Sequence, residues 1–203
     1  MPFVRRIVET LRNASSEAGI GLYVGCGNGR NYLPLIDAGL DLIGLDISPE
    51  AIGHLRERRP TLAARRLICD DFLGFQPSVA YFDYVIAIQV FQHGGDADSA
   101  AYIAKVSTLL RPGGFLFLRV NSVSTQIYHA HTVVERNDVG GITIRYDDGP
   151  KRGMLIHFYS DVELHEHLTP AFTPVLEPRE EVTARAAPKT GSWAQWETIW
   201  TRR

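Results

Sequence analysis

Cysteine is scarce in this chain of 203 residues, which contains only Cys26 and Cys69. Small domains that depend on disulfides carry many more cysteines, so the composition argues against a disulfide scaffold. Neither cysteine has the Cys and His spacing of a zinc site, and no metal centre is predicted. The two thiols are therefore expected to be reduced, as in a cytoplasmic protein.

Neither sign of charge dominates, because 21 Lys and Arg residues are balanced by 23 Asp and Glu residues, for a formal net charge of -2. Such a balance gives no general attraction to nucleic acid or to an anionic membrane, and neither is expected as a partner. The nearest approach to a basic patch is interpreted as a solvated helix end and consists of Arg56, Arg58, Arg59, Arg65 and Arg66.

Long apolar runs are also missing. No stretch approaches the roughly 20 residues of a membrane-spanning helix. The first six residues, MPFVRR, do not lead into the apolar core of a signal peptide. The length of 203 residues instead predicts one domain over residues 1–203 with a substantial core.

What the chain does contain is a loop with a glycine at every second position, between two apolar segments. Residues 22–30 begin as a predicted strand and continue into this loop, and residues 42–46 form a second predicted strand that ends in Asp46. Glycine lets the backbone approach a ligand or adopt positive φ. A carboxylate at the end of the second strand can accept hydrogen bonds from ribose hydroxyls. The unit is therefore predicted to hold a nucleoside.

The glycine spacing separates two cofactor classes. A dinucleotide-binding loop follows G-x-G-x-x-G, whereas here the third glycine comes one residue early, at Gly29, and Arg30 occupies the place of a small residue. This spacing disfavours NAD. The pattern Gly25-x-Gly27-x-Gly29 instead resembles motif I of the class I S-adenosylmethionine (SAM) dependent methyltransferases.

The segment from Gly44 to Ala51 is similar to the next motif of that family, an acidic strand end followed by a helix start. The resemblance implies SAM as the cofactor and S-adenosylhomocysteine as its product. The cofactor-binding residues that it implies in these two segments are Gly25, Cys26, Gly27, Asn28, Gly29, Asp46 and Ile47.

Three later segments match the same family in its order. The first, residues 67–72, contains Asp70 and Asp71, and either one matches the acidic residue that contacts the adenine amino group. Phe72 matches the neighbouring apolar side chain that packs on the ring. A strand-end turn or a helix cap is the alternative role for the two carboxylates.

The second segment, residues 82–94, is an apolar run typical of a fully buried strand and resembles the motif IV region, whose outgoing loop faces the transferred methyl group. Gln89 lies where this strand ends and is expected to contact the cofactor or the acceptor. The third segment, residues 109–118, predicts a helix that stops at Pro-Gly-Gly before a buried strand. The resemblance covers residues 20–120 well and the remainder loosely.

The alternation of strands and helices predicts an α/β fold with a doubly wound, mostly parallel sheet. The resemblance implies seven strands with an antiparallel closing hairpin. The predicted helices are 3–14, 29–38, 49–58 and 97–110, and the predicted parallel strands are 20–24, 41–46, 66–70, 82–88 and 114–120.

A different pattern follows residue 120. Three β-type runs, 131–136, 142–146 and 154–159, predict a β-rich insertion within residues 121–160, expected to lie over the acceptor pocket. A capping box at Ser160 predicts a short helix to Leu168. The closing hairpin is expected from residues 172–176 and 193–200.

One departure from the family is Tyr23, two residues before the first glycine of motif I, where the family usually has Asp or Glu. A phenol is uncharged near pH 7 and cannot replace the charge of a carboxylate. Cofactor binding is therefore expected to be weaker by about 1 kcal/mol, unless Asp46 or Asp70 takes over this role.

His93 is the candidate general base, because it follows the motif IV strand and imidazole titrates near neutral pH. A role in the pocket wall is the alternative, since acidic acceptors need no base. Gln89 stands where a magnesium-dependent catechol-type enzyme would have Asp, which argues against a metal-dependent reaction. Aromatic rings can stabilise the sulfonium charge, and the candidates are Tyr32, Phe91, Tyr128 and Tyr159.

Two histidine pairs are candidate metal ligands, His165 with His167 and His129 with His131. His165 and His167 are two residues apart on a predicted helix, so they face different directions and are expected to be exposed. His129 and His131 share a strand face without an evident third ligand, and lining the acceptor pocket is the alternative for them.

The resemblance implies an enzyme that methylates an O, N, S or related atom of a small-molecule acceptor. Residues 119–122, 157–160 and 196–197 are similar to the tellurite-resistance type of small bacterial methyltransferase. Two alternatives stay open: a non-catalytic SAM-binding partner protein, and an RNA or protein methyltransferase, although the basic surface expected of an RNA enzyme is not evident. A monomer or homodimer is expected.

Overall fold

The computed structural model describes residues 2–14, 19–62, 66–77 and 82–203. Its helices are α1 (Pro2–Ala14), α2 (Tyr32–Asp37), α3 (Pro49–Arg58), α4 (Asp96–Leu109) and α5 (Asp161–Leu168). Its strands are β1 (Gly21–Val24), β2 (Leu42–Asp46), β3 (Leu67–Cys69), β4 (Phe82–Ile88), β5 (Leu110–Asn121), β6 (His131–Arg136), β7 (Ile142–Tyr146), β8 (Leu155–Phe158), β9 (Phe172–Ala184) and β10 (Ser192–Arg202).

The main sheet has the strand order β3-β2-β1-β4-β5-β10-β9. The first five of these strands run parallel to one another. The strand β10 is antiparallel to both of its neighbours, β5 and β9. This arrangement confirms the predicted doubly wound, mostly parallel sheet with an antiparallel closing hairpin.

The central strands β1 and β4 are buried on both faces, as the example of β1 shows. Leu22 and Val24 of β1 belong to one hydrophobic cluster, whereas Tyr23 belongs to a second cluster that also contains the apolar side chains of α1. Successive side chains of a strand point to opposite faces, and here helices cover each face. The continuous apolar runs in the sequence follow from this double burial.

The helix predicted over residues 29–38 is shorter in the structure, where α2 begins at Tyr32. Gly29 adopts φ +85°, and its N–H donates to the Cys26 carbonyl at 3.0 Å. Because a residue with positive φ cannot continue a helix, the loop extends through Asn31.

The segment at Pro-Gly-Gly also differs from the prediction. The helix α4 ends at Leu109, and β5 begins at once, with Leu110 opposite Phe82. The pairing then shifts and resumes with Phe115 opposite Tyr84. The Pro-Gly-Gly segment therefore lies within an irregular part of the strand rather than before it.

The closing hairpin is longer than predicted. The strand β9 continues to Ala184, which pairs with Ser192 of β10. Side chains of β9 alternate between half-buried and exposed positions, as in an edge strand with many charged residues. The charged residues within 177–181 interrupt the apolar pattern, so apolar runs could not predict the full length of this strand.

A second, three-stranded antiparallel sheet has the order β6-β7-β8 and lies within residues 121–160. Ile144, Tyr146, Ile156 and Phe158 form its own hydrophobic cluster. The predicted bounds of β6 and β7 agree with the structure, and β8 is shorter by one residue at each end. We call residues 131–158 the small sheet.

Polar contacts tie the small sheet to α5. The predicted capping box is present, since the Ser160 hydroxyl accepts from the Glu163 N–H. The buried Glu163 carboxylate also accepts from His157 Nε2 at 2.8 Å and from Asn137 Nδ2 at 2.9 Å. Burial alone would raise the pKa of Glu163, but hydrogen bonds from His157 and His167 outweigh it and lower the pKa to about 2.

The histidines of α5 therefore behave differently from each other. His165 is partly exposed and pairs with Glu177 and Asp161. His167 turns towards Glu163 at 3.5 Å and is less exposed than predicted. Ligand atoms of Asp96, Glu163 and His167 lie within 4.8 Å of one another, but the Glu163 carboxylate is already engaged by hydrogen bonds within the protein.

The arginines near the end of α3 contact the protein itself. Arg56 donates to the Leu67 carbonyl, Arg58 to the Asn28 carbonyl, and Arg59 pairs with Asp37. Arg66 pairs with Asp41, whereas Arg65 lies outside the described residues. Among the described residues, no helix has the length and apolar character needed to cross a membrane.

Replacing Glu163 with Ala is expected to lower the free energy of unfolding by about 3–5 kcal/mol, because it leaves buried polar partners unpaired. Urea denaturation measures this loss. Glu166→Ala, at an exposed position of the same helix, is the matched control and should change stability little.

The same carboxylate gives a pH dependence of known sign. A lowered carboxyl pKa stabilises the fold above the ordinary value of 4.5, and that contribution is lost as the pH falls towards 2. Between pH 4.5 and pH 2, the free energy of unfolding of Glu163→Gln should therefore fall less than that of the wild type. An unchanged acid transition would contradict the assignment.

Candidate active site

A cavity of about 430 Å³ opens where the parallel strands end. Ligands of doubly wound sheets bind outside the carboxyl ends of the strands. The cavity is lined by Val24, Gly25, Leu45, Asp46, Ile47, Asp70, Asp71, Phe72, Gln89, Val90, Phe91, His93, Tyr102 and Met154. Eight of the predicted site residues are in this set, so the structure brings most of the predicted site together.

The Asp46 carboxylate is held in a fixed orientation at the end of β2. Its Oδ2 accepts from the Gly27 N–H at 2.6 Å, and its Oδ1 accepts from the Ser48 N–H at 2.9 Å. Ser48 in turn caps α3 by accepting from the Ala51 N–H at 3.1 Å. The acidic strand end, the glycine loop and the start of α3 are therefore coupled through one side chain.

The glycine loop has no room for larger residues at two positions. A Cβ on Gly25 would lie 2.7 Å from Val90, and one on Gly29 would lie 2.5 Å from Leu55. Both residues also adopt positive φ, at +69° and +85°. Glycine is therefore required here by packing and by backbone conformation.

The other predicted loop residues shape the loop without lining the cavity. Cys26 is buried, and burial raises the pKa of its thiol to about 12, so this thiol stays protonated at neutral pH. Gly27 holds Asp46, and Asn28 is exposed, with its side-chain oxygen accepting from the Arg30 N–H at 3.3 Å.

Asp70 and Asp71 both reach the cavity and both hold local backbone. Asp70 Oδ1 accepts from the Asp71 N–H at 2.8 Å, and Asp71 Oδ2 accepts from the Gly74 N–H at 3.0 Å. The turn role and the ligand role are thus compatible for each carboxylate. Either one can serve as the adenine contact.

Three aromatic rings form one wall of the cavity. Phe91 and Tyr102 stack at 5.1 Å between ring centroids, and Phe72 lies 5.3 Å from Phe91. Tyr102 belongs to α4 and was not predicted, because no motif in the sequence marks a helix residue that packs onto the cavity.

The other three aromatic candidates lie elsewhere. Tyr32 is buried in the core, where its hydroxyl donates to the Leu42 carbonyl at 3.1 Å. The Tyr159 hydroxyl donates to the Phe91 carbonyl at 2.5 Å, so Tyr159 supports the wall from outside. Tyr128 lines a different cavity.

Gln89 has a strained backbone at the end of β4. Its φ of +57° is the one positive value of a non-glycine residue within the described part of the chain. Such conformations cost free energy and occur preferentially at functional sites. The Gln89 N–H donates to the Arg119 carbonyl at 2.8 Å, which keeps the residue anchored to β5.

His93 is fixed between the main sheet and the small sheet. Its carbonyl accepts from the Tyr102 hydroxyl at 3.0 Å, and it pairs with Ile156 of β8 as an isolated bridge. The adjoining Gly94 N–H donates to the Leu155 carbonyl at 3.1 Å. Burial, followed by the charge of Lys151, lowers the pKa of His93, so its imidazole is neutral at pH 7.

The small sheet contributes Met154 to the cavity, a residue that the sequence analysis missed. Met154 directly precedes β8, which carries the contacts to the His93 loop. The predicted β-rich run supplied a signal for the strand but not for which of its residues would face the cavity.

Tyr23, the departure from the family pattern, is a core residue. Its ring is 2% exposed and packs edge-on against Tyr32 at 5.8 Å between centroids. Burial raises the pKa of its phenol, which therefore stays neutral. Tyr23 is not among the cavity-lining residues, so this structure gives it no direct contact with a ligand there.

The sheet order, the glycine loop and the acidic strand ends are those of the Rossmann-like class I methyltransferase fold. Residues 22–116 match the family model described as a methyltransferase domain. These residues, just under half of the chain, are therefore similar to a methyltransferase domain, a family whose methyl donor is SAM.

Curated relatives support this assignment. A ubiquinone biosynthesis O-methyltransferase from Methylococcus capsulatus is 32% identical over 109 residues, which cover 52% of this chain and 44% of that protein. An uncharacterised methyltransferase from Anoxybacillus flavithermus is 27% identical over 177 residues, which cover 82% of this chain and 78% of that protein. This chain thus spans less than half the length of the first relative.

A solved structure shows the same fold. It is the 1,6-didemethyltoxoflavin-N1-methyltransferase of Burkholderia thailandensis with bound 1,6-didemethyltoxoflavin and S-adenosylhomocysteine, at a TM-score of 0.65 and 18% identity. The likeness covers 98% of this chain and 78% of that one.

The residues of the cavity fit a nucleoside cofactor. A Cβ on Gly27 would meet only the Asp46 carboxylate, at 3.9 Å, so the backbone of the loop is open next to that acid. Open glycine backbone beside a fixed carboxylate suits close approach of a ribose. Phe72 offers an aromatic face for a purine ring.

Replacing Asp46 with Asn should weaken S-adenosylhomocysteine binding by about 1.5–3 kcal/mol, because a charged hydrogen-bond acceptor is lost. This loss corresponds to more than a tenfold change in affinity. Calorimetric titration measures the dissociation constant. The control is Asp37→Asn, whose carboxylate pairs with Arg59 on the surface, and equal effects of both substitutions would refute the ribose role.

Gly25→Ala should abolish or strongly weaken cofactor binding, because its Cβ would push Val90 of the cavity wall. Gly39→Ala is the matched control, since Gly39 also has positive φ, at +92°, but has open space around it. Both variants should lose about 1 kcal/mol of stability from backbone strain. Only Gly25→Ala should lose affinity in a binding titration.

Proposed function

We propose that this protein transfers a methyl group from SAM to a nucleophilic O, N or S atom of a small-molecule acceptor. The supporting observation is a single cavity of about 430 Å³ lined both by Asp46 of the cofactor motifs and by His93 after the motif IV strand. Its volume lies in the range of about 300–1,000 Å³ that is usual for small-molecule sites.

The cofactor half consists of residues at two strand ends, those of β2 and β3. Asp46 accepts hydrogen bonds from the ribose hydroxyls, and Asp70 or Asp71 contacts the adenine amino group. Phe72 packs against the adenine ring. When bound, SAM supplies an electrophilic methyl group on a positively charged sulfur. The protein has then only to align this methyl group with the acceptor and to exclude water.

The acceptor half consists of His93, Tyr102 and Met154. The stacked pair of Phe91 and Tyr102 gives this half an apolar wall that can pack against a small organic molecule. Because Met154 and the partner strand of the His93 loop both come from the small sheet, the small sheet is assigned to acceptor selection.

His93 acts as the general base for acceptors that carry a proton on the nucleophile. A neutral imidazole can accept that proton as the new bond to carbon forms, and the lowered pKa of His93 keeps the ring neutral at pH 7. The Tyr102 hydroxyl and the bridge to Ile156 hold the backbone of the base in place.

An acceptor screen tests the function directly. The purified protein is incubated with SAM and a panel of small phenols, amines, thiols and carboxylates, and S-adenosylhomocysteine release is measured against protein-free samples. Release with at least one small acceptor supports the proposal. Tight binding of SAM without turnover of any acceptor would favour a non-catalytic SAM-binding protein instead.

A pH profile tests the base. Activity should rise with pH through the pKa of His93, and because that pKa is lowered, the acid limb of kcat/KM should lie below pH 6.5. His93→Gln should remove this limb and reduce kcat by about 100-fold. The exposed His131→Gln is the control and should leave both unchanged. A profile of His93→Gln that matches the wild type would make His93 a wall residue.

Four further properties of the protein are predictions from its sequence. They are a cytoplasmic location, a monomeric or homodimeric state, the absence of a nucleic-acid partner and the likeness to the tellurite-resistance type. The arrangement of residues 1–203 as one domain, with the insertion over the acceptor pocket, is likewise part of this proposal.

A further inference from the structure

A second cavity of about 140 Å³ lies between the small sheet and the connection from β9 to β10. Three aromatic side chains and three cations are prominent in its lining: Tyr128, Tyr146, Trp193, Lys151, Arg185 and Lys189. His129 and Pro150 complete the lining, and no Asp or Glu belongs to it. In a chain with a net charge of -2, this is a local concentration of positive charge.

Arg185 is held in place but keeps unused hydrogen-bonding capacity. Its guanidinium carbon lies 3.9 Å from the centroid of the Trp193 ring, and Nη2 donates to the Gln126 carbonyl at 2.6 Å. Its Nε is buried, and no hydrogen-bond partner for it is found among the described residues. A buried donor of a charged group without an acceptor costs free energy, which an anionic ligand would recover.

The two lysines are also without acidic partners. Over residues 2–14, 19–62, 66–77 and 82–203, no ion pair involves Lys151 or Lys189. The Lys189 ammonium lies 5.6 Å from the Tyr128 ring centroid, and burial lowers the pKa of Lys151. Asp148 lies three residues before Lys151 in the sequence. Its carboxylate is engaged by His129 Nδ1 at 3.2 Å and by the Ala130 N–H.

The aromatic side chains of the second cavity indicate the shape of the uncharged part of its ligand. Tyr146 is 4% exposed, and Tyr128 and Trp193 are more accessible, so flat apolar surface borders the cations. Aromatic faces favour flat, apolar partners, and cations favour an anionic group at the edge of such a partner. At about 140 Å³ the cavity is smaller than a site for a whole cofactor.

We propose that this second cavity is a binding site for a small planar organic anion, such as an aromatic carboxylate. The Lys151 and Lys189 ammonium groups and the Arg185 guanidinium bind the anionic group, and the rings of Tyr128 and Trp193 contact the planar body. Nothing in the proposed methyl transfer requires this cavity, so it is a site additional to the one at the strand ends.

The two cavities adjoin along the turn between β7 and β8. Lys151 lines the second cavity, and Met154, three residues later, lines the first. The Met154 N–H donates to the Lys151 carbonyl at 2.9 Å, and the Gly153 N–H donates to the Tyr146 carbonyl at 2.7 Å. The anion therefore has two sources, the charged end of a long acceptor or a separate small molecule.

Binding is tested with benzoate and, as its uncharged counterpart, benzamide. Each is titrated into the protein while the indole N–H resonance of Trp193 is followed by NMR, with Trp193→Phe to assign the signal. A saturable shift with benzoate, at least tenfold weaker with benzamide, is expected. Equal responses to both compounds, or no saturable shift with benzoate, would overturn the proposal.

Charge-matched variants locate the site. Lys151→Gln and Lys189→Gln should each weaken benzoate binding at least threefold. Arg152→Gln changes the net charge equally from an exposed position of the same turn and should not weaken it. Equal weakening by all three variants would show general electrostatics rather than a site, and would refute the proposal. Melting temperatures check that each variant is folded.

The source of the anion is identified in a second experiment, which rests on the proposed function. If the anion belongs to the acceptor, Lys189→Gln should raise KM at least threefold for carboxylate acceptors and leave KM for uncharged acceptors unchanged. If the ligand is separate, benzoate should alter turnover of an uncharged acceptor without competing with it. S-adenosylhomocysteine binding is measured in parallel, so that failure of the cofactor site is distinguished from failure of the anion site.

Discussion

Double burial of β1 and β4 is the constraint on which this architecture depends. Each strand is paired on both sides and covered on both faces, so neither can present a polar side chain along its length without burying it. Charged side chains are therefore confined to the strand ends, where water and ligands have access. Asp46 ends the neighbouring strand β2, Gln89 directly follows β4 and His93 lies in the loop beyond it, and all three line the cavity.

Local patterns were sufficient to predict what lies close along the chain. The apolar runs predicted the parallel strands, because a fully buried strand has no polar positions to interrupt it. The glycines at 25 and 29 could be recognised because positive φ and close packing leave no other residue suitable. The position of Asp46 at the cavity could be predicted because it is the acidic residue that ends an apolar strand.

Tertiary packing determined what the sequence analysis missed. Tyr102 reaches the cavity only because α4 packs across the Phe91 ring, and Met154 reaches it only because β8 pairs with the His93 loop. No periodic pattern in the sequence near Tyr102 or Met154 predicts that these side chains reach the cavity. The same holds for β9, whose many charged residues are compatible with a strand only at the edge of a sheet.

Polar contacts hold the small sheet against α4 and α5. The Asn137 amide donates to both Asp96 of α4 and Glu163 of α5, and His157 of β8 donates to the same Glu163 carboxylate. A buried network of this kind is stable only when every member is paired, so it favours one position of the sheet over sliding alternatives. Since the loop that carries His93 is bridged to β8, the network also holds this loop relative to the small sheet.

The alternation of side chains along β1 explains why Tyr23 lies in the core rather than at the cavity. Alternation along β1 directs the side chain at position 23 to the face covered by α1 and α2, while Val24 faces the cavity. A carboxylate at position 23 would be buried beside Tyr32 and would need a partner there. With Tyr23 this part of the core carries no charge, and the acidic side chains that line the cavity lie at the end of β2 and directly after β3. The proposed cofactor contacts thus all lie at the ends of main-sheet strands, whereas the small sheet supplies Met154 on the side of the cavity proposed for the acceptor.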